Sequence, residues 1–185
     1  MASKYVVTAA HCMFKDTQGT QAWTAAEIRI RIGDHDLSAT GETSLTEKTV
    51  TVTTITNHES YSAASAALTN DITVLTLGED LDLNTYTPAC LAKTTDATTF
   101  DNKVAQVYGW GTTSFGGASS SKLLEVNVTV VTKAVCEAAM GPMGDGQICA
   151  GGEEGKDSCQ VSSESSKQII FLCKGRLWWT SDCGD

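Results

Sequence analysis

The chain has 185 residues, a formal net charge of −9 and 41% hydrophobic residues. This length allows a domain with a substantial core, and the ordinary balance of apolar and charged residues excludes global disorder. The acidic balance and the lack of a basic patch exclude a nucleic-acid partner, and the apolar runs are too short to predict a membrane partner.

Short strands follow one another along most of the sequence. Apolar or β-branched residues alternate with polar ones in five segments, residues 28–32, 49–56, 72–77, 103–108 and 124–131. Residues 132–140 could hold one short turn or helix. Many short strands between turns rich in glycine, serine and asparagine predict an all-β barrel or sandwich. Because no linker divides this region, we predict one domain over residues 1–160.

A histidine follows the first strand of the chain. The strand residues Val6-Val7-Thr8 lead through Ala9 and Ala10 to His11, and the small alanines leave space beside the imidazole. An imidazole can take a proton from a serine hydroxyl at neutral pH. A histidine base needs a carboxylate to fix its tautomer. Asp71, at the head of the strand over residues 72–77, suits that role.

These features occur in order with three further motifs. The chain resembles the trypsin/chymotrypsin family of serine endopeptidases in five segments, Thr8-Ala9-Ala10-His11-Cys12, Asn70-Asp71-Ile72-Thr73-Val74-Leu75, Gly109-Trp110-Gly111, Gln147-Ile148-Cys149-Ala150-Gly151 and Lys156-Asp157-Ser158-Cys159-Gln160. The resemblance covers residues 5–160, which is most of the chain.

The resemblance implies a fold, an activity and roles for particular residues. It implies two packed β-barrels with the active site between them, with His11 as general base and Asp71 as its orienting partner. Asp157 would form the floor of a pocket that selects Lys or Arg side chains, and Ser158 would form part of its wall. Protein or peptide substrates, protease inhibitors as further partners, and no cofactor are implied as well.

The cysteines indicate an oxidising compartment. Seven cysteines without paired metal-ligand spacing are typical of a secreted chain and do not predict a zinc site. Cys136 and Cys149 bracket a short loop rich in glycine, and they resemble a loop-closing disulfide of the family. The sequence does not open on a signal peptide, so we interpret the N-terminal segment as missing.

An acidic loop follows the strand over residues 28–32. Asp34, Asp36, Glu42 and Glu47 fall where some relatives bind calcium. Acidic residues in a loop are usually solvated, and calcium requires a denser set of oxygen ligands. We therefore assign no metal site.

The pattern of the family breaks after Gln160. The family continues with Gly-Asp-Ser-Gly-Gly-Pro, which carries the nucleophilic serine and the oxyanion-hole donors. This chain continues with Val161-Ser162-Ser163-Glu164 and supplies no such motif. We therefore expect an incomplete second barrel and a catalytically incomplete chain.

Residues 161–185 have an interpretation at the level of the gene. The codons of Gln160-Val161-Ser162 can contain a splice-donor signal, and those of Lys174-Gly175 an acceptor. The codons GGG-AGA-CTC-TGG-TGG-ACC can encode residues 175–180, and reading them one nucleotide later gives Gly-Asp-Ser-Gly-Gly-Pro. We interpret this tail as intron-derived and frameshifted.

Two other interpretations stay open. One is a serine-protease homologue without catalysis that acts as a binding or regulatory module, although such a homologue usually keeps a complete second barrel. The other is an all-β secreted scaffold with coincidental motifs, which the ordered set of matches disfavours.

Overall fold

A computed structural model describes residues 3–16, 19–62, 69–89, 97–112, 118–144, 146–151 and 177–178. The chain divides into two compact units, with the boundary between Pro88 and Ala89. Strands make up most of the regular structure in both units, so the all-β prediction is confirmed. Within the described residues, no helix is both long and apolar enough to cross a membrane.

The first unit contains a four-stranded antiparallel sheet. Its strands are β1 (Tyr5–Thr8), β2 (Arg29–Ile32), β3 (Lys48–Asn57) and β4 (Thr73–Leu77). They lie in the order β1-β4-β3-β2. One extra residue in β3, Thr53, shifts its register against β4, and such a bulge increases the local twist of a strand pair.

The core of the first unit follows from the period of two along its strands. In β4 the side chains of Thr73, Leu75 and Leu77 are buried, whereas the two residues between them are partly exposed. Leu75 packs with Val52 of β3 and with Met13 in one apolar cluster. Val6 of β1 packs against this cluster, so the cluster holds β1 on the sheet.

The second unit contains another four-stranded sheet. Its strands are β5 (Val104–Gly109), β6 (Leu124–Val131), β7 (Cys149–Ala150) and β8 (Leu177–Trp178), in the order β7-β6-β5-β8. β8 runs parallel to β5, and the other pairs are antiparallel. Two of these four strands have only two residues, so among the described residues the sheet is an incomplete barrel, as expected.

One α-helix, α1 (Lys133–Met140), follows β6 in the described part of the second unit. The Thr132 hydroxyl oxygen accepts a hydrogen bond from the Val135 N–H at 3.4 Å and caps the helix N-terminus. At the other end, Gly141 adopts a φ of 90° that ends the helix.

The five predicted strands and the short helix are confirmed to within one residue at each end. β6 has the predicted bounds, and β3 is one residue longer than predicted at both ends. Local sequence pattern was sufficient here because one face of each strand is more buried than the other.

Candidate functional site

The topology of the first unit brings His11 and Asp71 together. β1 and β4 are antiparallel, and Thr8 at the end of β1 lies opposite Thr73 at the start of β4. His11 follows β1 by three residues, and Asp71 precedes β4 by two. Both side chains therefore lie at the same edge of the sheet, although they are 60 positions apart in sequence.

Two tight turns orient these side chains. His11–Met13 form a 3₁₀ turn, in which the Met13 N–H donates to the Ala10 carbonyl at 3.0 Å. Ala10 is fully buried, so a larger side chain has no room there. Before β4, Asn70 adopts a left-handed φ of 59°, a conformation that asparagine tolerates better than most residues.

The Asp71 carboxylate accepts two hydrogen bonds from His11. Its Oδ1 accepts the backbone N–H of His11 at 2.8 Å, and its Oδ2 lies 2.6 Å from the ring Nδ1. The Asp71 side chain is 1% exposed, whereas the imidazole is 33% exposed. An ionised carboxylate can only accept hydrogen bonds, so the ring proton belongs on Nδ1 and the lone pair on Nε2.

Cys12 lies against the other nitrogen of the ring. Its Sγ is 3.5 Å from His11 Nε2, and this cysteine is disulfide-bonded. The carboxylate holds the imidazole at Nδ1, and the sulfur only packs against the ring near Nε2, because a disulfide sulfur has no proton to donate. Such fixed surroundings reduce the number of ring orientations that the histidine can adopt.

Tyr61 forms an apolar wall near the carboxylate. Its ring stacks on Phe14 with 6.0 Å between the ring centroids. Its hydroxyl is buried and has no hydrogen-bond partner in the described part of the chain. Burial raises the pKa of the Tyr61 phenol, and the negative charge of Asp71 raises it further.

The acidic loop forms a compact cluster around an arginine. Carboxylate oxygens of Asp34, Glu42 and Glu47 lie within 4.8 Å of one another. The Arg31 guanidinium pairs with Asp34 through Nε and with Glu47 through Nη2, the latter at 3.5 Å. Asp36 is not a member of this cluster; its backbone N–H donates to Glu42 at 2.8 Å.

This arrangement does not fit a calcium ion. The Arg31 guanidinium already contacts two of the three carboxylates, so a calcium ion would have to compete with a cation of the protein. Backbone groups of the loop use two further oxygens: Glu42 Oε1 accepts the N–H groups of His35 and Asp36, and Glu47 Oε1 accepts that of Gly41. The hydrogen bond from the Asp36 N–H is the largest of the effects that lower the pKa of Glu42 to about 2.

Of the other predicted site residues, the structure describes the two cysteines but not the two residues of the predicted specificity pocket. Cys136 and Cys149 form a disulfide bond within the second unit, and both sulfurs are buried beside Met143. Asp157 and Ser158 lie outside the described residues.

Sequence reasoning missed Tyr61 and Arg31. Tyr61 lies ten residues before Asp71, in polar sequence that gives no sign of burial. Arg31 occupies an outward position in the alternating strand β2, which indicated a solvated side chain. A single signal was present for Arg31, namely a cation three residues before the acidic Asp34.

Comparison with known proteins identifies the same family that the motifs resemble. The family model described as Trypsin matches residues 1–163. Trypsin zeta of Drosophila melanogaster is 32% identical over 96% of this chain and 62% of its own length. Trypsin-1 of Astacus astacus is 35% identical over 86% of this chain and 64% of its own length.

A third relative carries a different description. Inactive CLIP domain-containing serine protease A3 of Aedes aegypti is 32% identical over 97% of this chain and 39% of its own length. The chain therefore spans less than two thirds of the length of each of these three relatives.

Replacing Tyr61 by phenylalanine is expected to stabilise the chain. The exchange removes a buried hydroxyl that lacks a partner among the described residues, and we expect the free energy of unfolding to rise by about 1 kcal/mol. The matched control is Tyr86→Phe, which removes a hydroxyl that donates to the Thr46 carbonyl at 2.5 Å. Urea unfolding at neutral pH should give opposite signs for the two variants, and equal signs would contradict this account.

The same tyrosine predicts a dependence on alkaline pH. Folding raises the pKa of Tyr61 above the ordinary value of 10.0, so the unfolded chain loses this proton first. The contribution to stability is complete below pH 10 and is lost as the pH rises through the folded-state pKa. The stability gained in Tyr61→Phe should therefore grow above pH 10.

Replacing Arg31 by glutamine is expected to make the acidic loop depend on calcium. The exchange leaves the Asp34 carboxylate, which is 3% exposed, without its charge partner, at an expected cost of about 1–3 kcal/mol. Millimolar calcium should then raise the Tm of Arg31→Gln more than that of the wild-type chain. Lys48→Gln is the matched control, because it removes a neighbouring cation from an exposed pair with Glu79. Equal effects of calcium on all three proteins would contradict the role of Arg31.

Proposed function

Because the chain belongs to the trypsin family, we propose that its intact form is a secreted serine endopeptidase that cleaves proteins after Lys or Arg. The hydrogen bonds between His11 and the buried Asp71 carboxylate carry the proposal, with Nδ1 and Oδ2 2.6 Å apart. This geometry supports a general base whose lone pair is directed from Nε2. The Cys136–Cys149 disulfide supports an oxidising compartment.

The proposed chemistry assigns one role to each member of the pair. His11 Nε2 takes the proton of the nucleophilic serine as its oxygen attacks the scissile carbonyl carbon, and it then returns that proton to the leaving amine. Water repeats the sequence on the acyl-enzyme. Asp71 holds the ring tautomer and stabilises the imidazolium. These steps are those of the Ser-His-Asp triad, whose mechanism is described for this same family.

The proposed specificity depends on a buried carboxylate. In the family's motif order, Asp157 would lie at the floor of the primary pocket and pair with the Lys or Arg side chain of a substrate. Ser158 would line the pocket wall. Both assignments rest on the segment Lys156-Asp157-Ser158-Cys159-Gln160 of the sequence.

We propose further that the 185-residue chain is itself inactive. Its sequence contains no Gly-Asp-Ser-Gly-Gly-Pro segment, which would provide the attacking oxygen and the backbone donors for the oxyanion. A general base without a nucleophile cannot form the acyl-enzyme. The pair of tryptophans at 178 and 179 supports a frameshift, because their codons are unique and yield Gly-Gly when read one nucleotide later.

The first experiment is to sequence the messenger RNA across the codons of Cys159 to Arg176. The proposal expects a spliced species that encodes Gly-Asp-Ser-Gly-Gly-Pro after Gln160. A transcript population with only the printed reading would contradict the intron interpretation and favour a non-catalytic product.

The inactivity of this chain is tested with peptide amides. The purified, oxidised chain is expected to hydrolyse Lys and Arg amide substrates no faster than buffer. Turnover that is lost in His11→Ala but retained in His58→Ala would contradict this expectation. His58 is a suitable control because this residue is exposed and its Nδ1 accepts a local hydrogen bond from the Ser60 N–H at 3.1 Å.

The role of Asp71 is tested in the spliced form. Asp71→Asn is expected to lower kcat by about 10⁴-fold at neutral pH, the magnitude typical of this exchange in Ser-His-Asp triads, because the amide favours the wrong ring tautomer. Asp80→Asn removes an exposed carboxylate that pairs with Lys4 and should leave kcat unchanged. A loss of similar size in both variants would count against the role of Asp71.

A non-catalytic binding module is the second candidate function. The relative from Aedes aegypti that is described as inactive favours it, since it aligns with 97% of this chain. Under this alternative the natural transcript encodes the printed sequence without further splicing. The first unit then serves to bind a protein partner and does not take part in peptide hydrolysis. The messenger RNA experiment separates the two candidates.

A further inference from the structure

One sequence motif has no part in the proposed chemistry. Asn127-Val128-Thr129 has the Asn-x-Thr form that accepts an N-linked glycan, and Val128 meets the requirement that the middle residue is not proline. The chain has five asparagines, and Asn127 alone begins such a motif.

The register of β6 turns Asn127 to solvent. Val128 and Val130 are 1% and 2% exposed and pack into the core of the second unit with Val107. Successive side chains of a strand point to opposite faces, so Asn127 lies on the outer face, where it is exposed. Its cross-strand neighbour Gln106 is exposed as well.

We propose that Asn127 is an N-glycosylation site of this protein. The proposal rests on the secretion that is part of the proposed function, but not on peptidase activity. The Asn127 side-chain nitrogen attacks the anomeric carbon of a lipid-linked oligosaccharide pyrophosphate. A C–N bond forms, the bond from that carbon to the pyrophosphate oxygen breaks, and the amide proton is lost as the lipid pyrophosphate leaves.

The folded sheet accommodates the glycan at this position. Glu125 lies on the same outer face of β6 and is exposed, so a polar side chain precedes the attachment point on that face. A glycan there displaces no core side chain, because the buried residues are on the opposite face. Attachment during synthesis is therefore compatible with the final fold.

The glycan would also lie beside an edge of β6 whose backbone is only partly paired by the described strands. Among the described strands, β7 pairs with β6 only at Val130 and Val131, whereas β5 pairs with it from Leu124 to Thr129. Strand edges with unpaired backbone groups are templates for association with other chains. A bulky, hydrated group at Asn127 would oppose such edge-to-edge pairing.

The test is translation of the full chain, behind a cleavable signal sequence, in the presence of endoplasmic-reticulum microsomes. We expect one decrease in electrophoretic mobility that is reversed by peptide-N-glycosidase. Asn127→Gln should abolish this shift, and Thr129→Ser should retain it. Glycosylation of Asn127→Gln at an undiminished level would overturn the proposal.

A positive control separates failure of the site from failure of translocation. Val104→Thr creates a second motif that begins at Asn102, and Val104 is 66% exposed in the same unit. This variant should carry two glycans, and Val104→Thr combined with Asn127→Gln should carry one. If the combined variant is glycosylated while the wild-type chain is not, the proposal is overturned. If neither is glycosylated, the chain is not processed by the microsomes even behind a signal sequence, and the proposal is overturned, whereas the peptidase assignment is tested separately by the messenger RNA.

Discussion

The buried carboxylate of Asp71 is the constraint on which the site depends. A carboxylate that is 1% exposed loses most of its hydration, and this cost must be offset by donors within the protein. Both donors come from His11, one from its backbone and one from its ring. The same two bonds therefore satisfy the buried charge, join the exit of β1 to the entrance of β4, and set the orientation of the imidazole. The ring is oriented by the fold before any substrate binds.

The acidic loop meets the same requirement in a different way. Asp34 is also almost fully buried, but its oxygens lack hydrogen bonds among the described residues and its charge is offset by the Arg31 guanidinium. Arg31 belongs to β2 and Asp34 to the segment that follows it, so the ion pair restrains the loop where it leaves the sheet. Hydrogen bonds thus offset the cost of burying the Asp71 charge, and a cation offsets the cost of burying the Asp34 charge.

The strands could be predicted from sequence because each presents one face to a core. The His11–Asp71 contact could be predicted in outline, since the order of the motifs implied it and antiparallel pairing of β1 with β4 produces it. Tyr61 could not be predicted, because its ring stacks on Phe14, which lies 47 positions earlier in the chain. The sequence pattern of β2 placed Arg31 correctly on the exposed face, but it did not indicate that its guanidinium pairs with Asp34 and Glu47.

The two halves of the proposed catalytic machinery come from separate parts of the chain. The His11–Asp71 pair lies wholly in the first unit, whereas the specificity and nucleophile motifs of the family belong to sequence after Gly151. A change downstream of Gln160 can therefore remove turnover and leave the geometry of the base intact. Members of a triad act as a unit, so the pair alone retains little of their joint effect. An intact His–Asp pair consequently identifies the family of this chain more securely than it identifies an active enzyme, and the downstream sequence decides the activity.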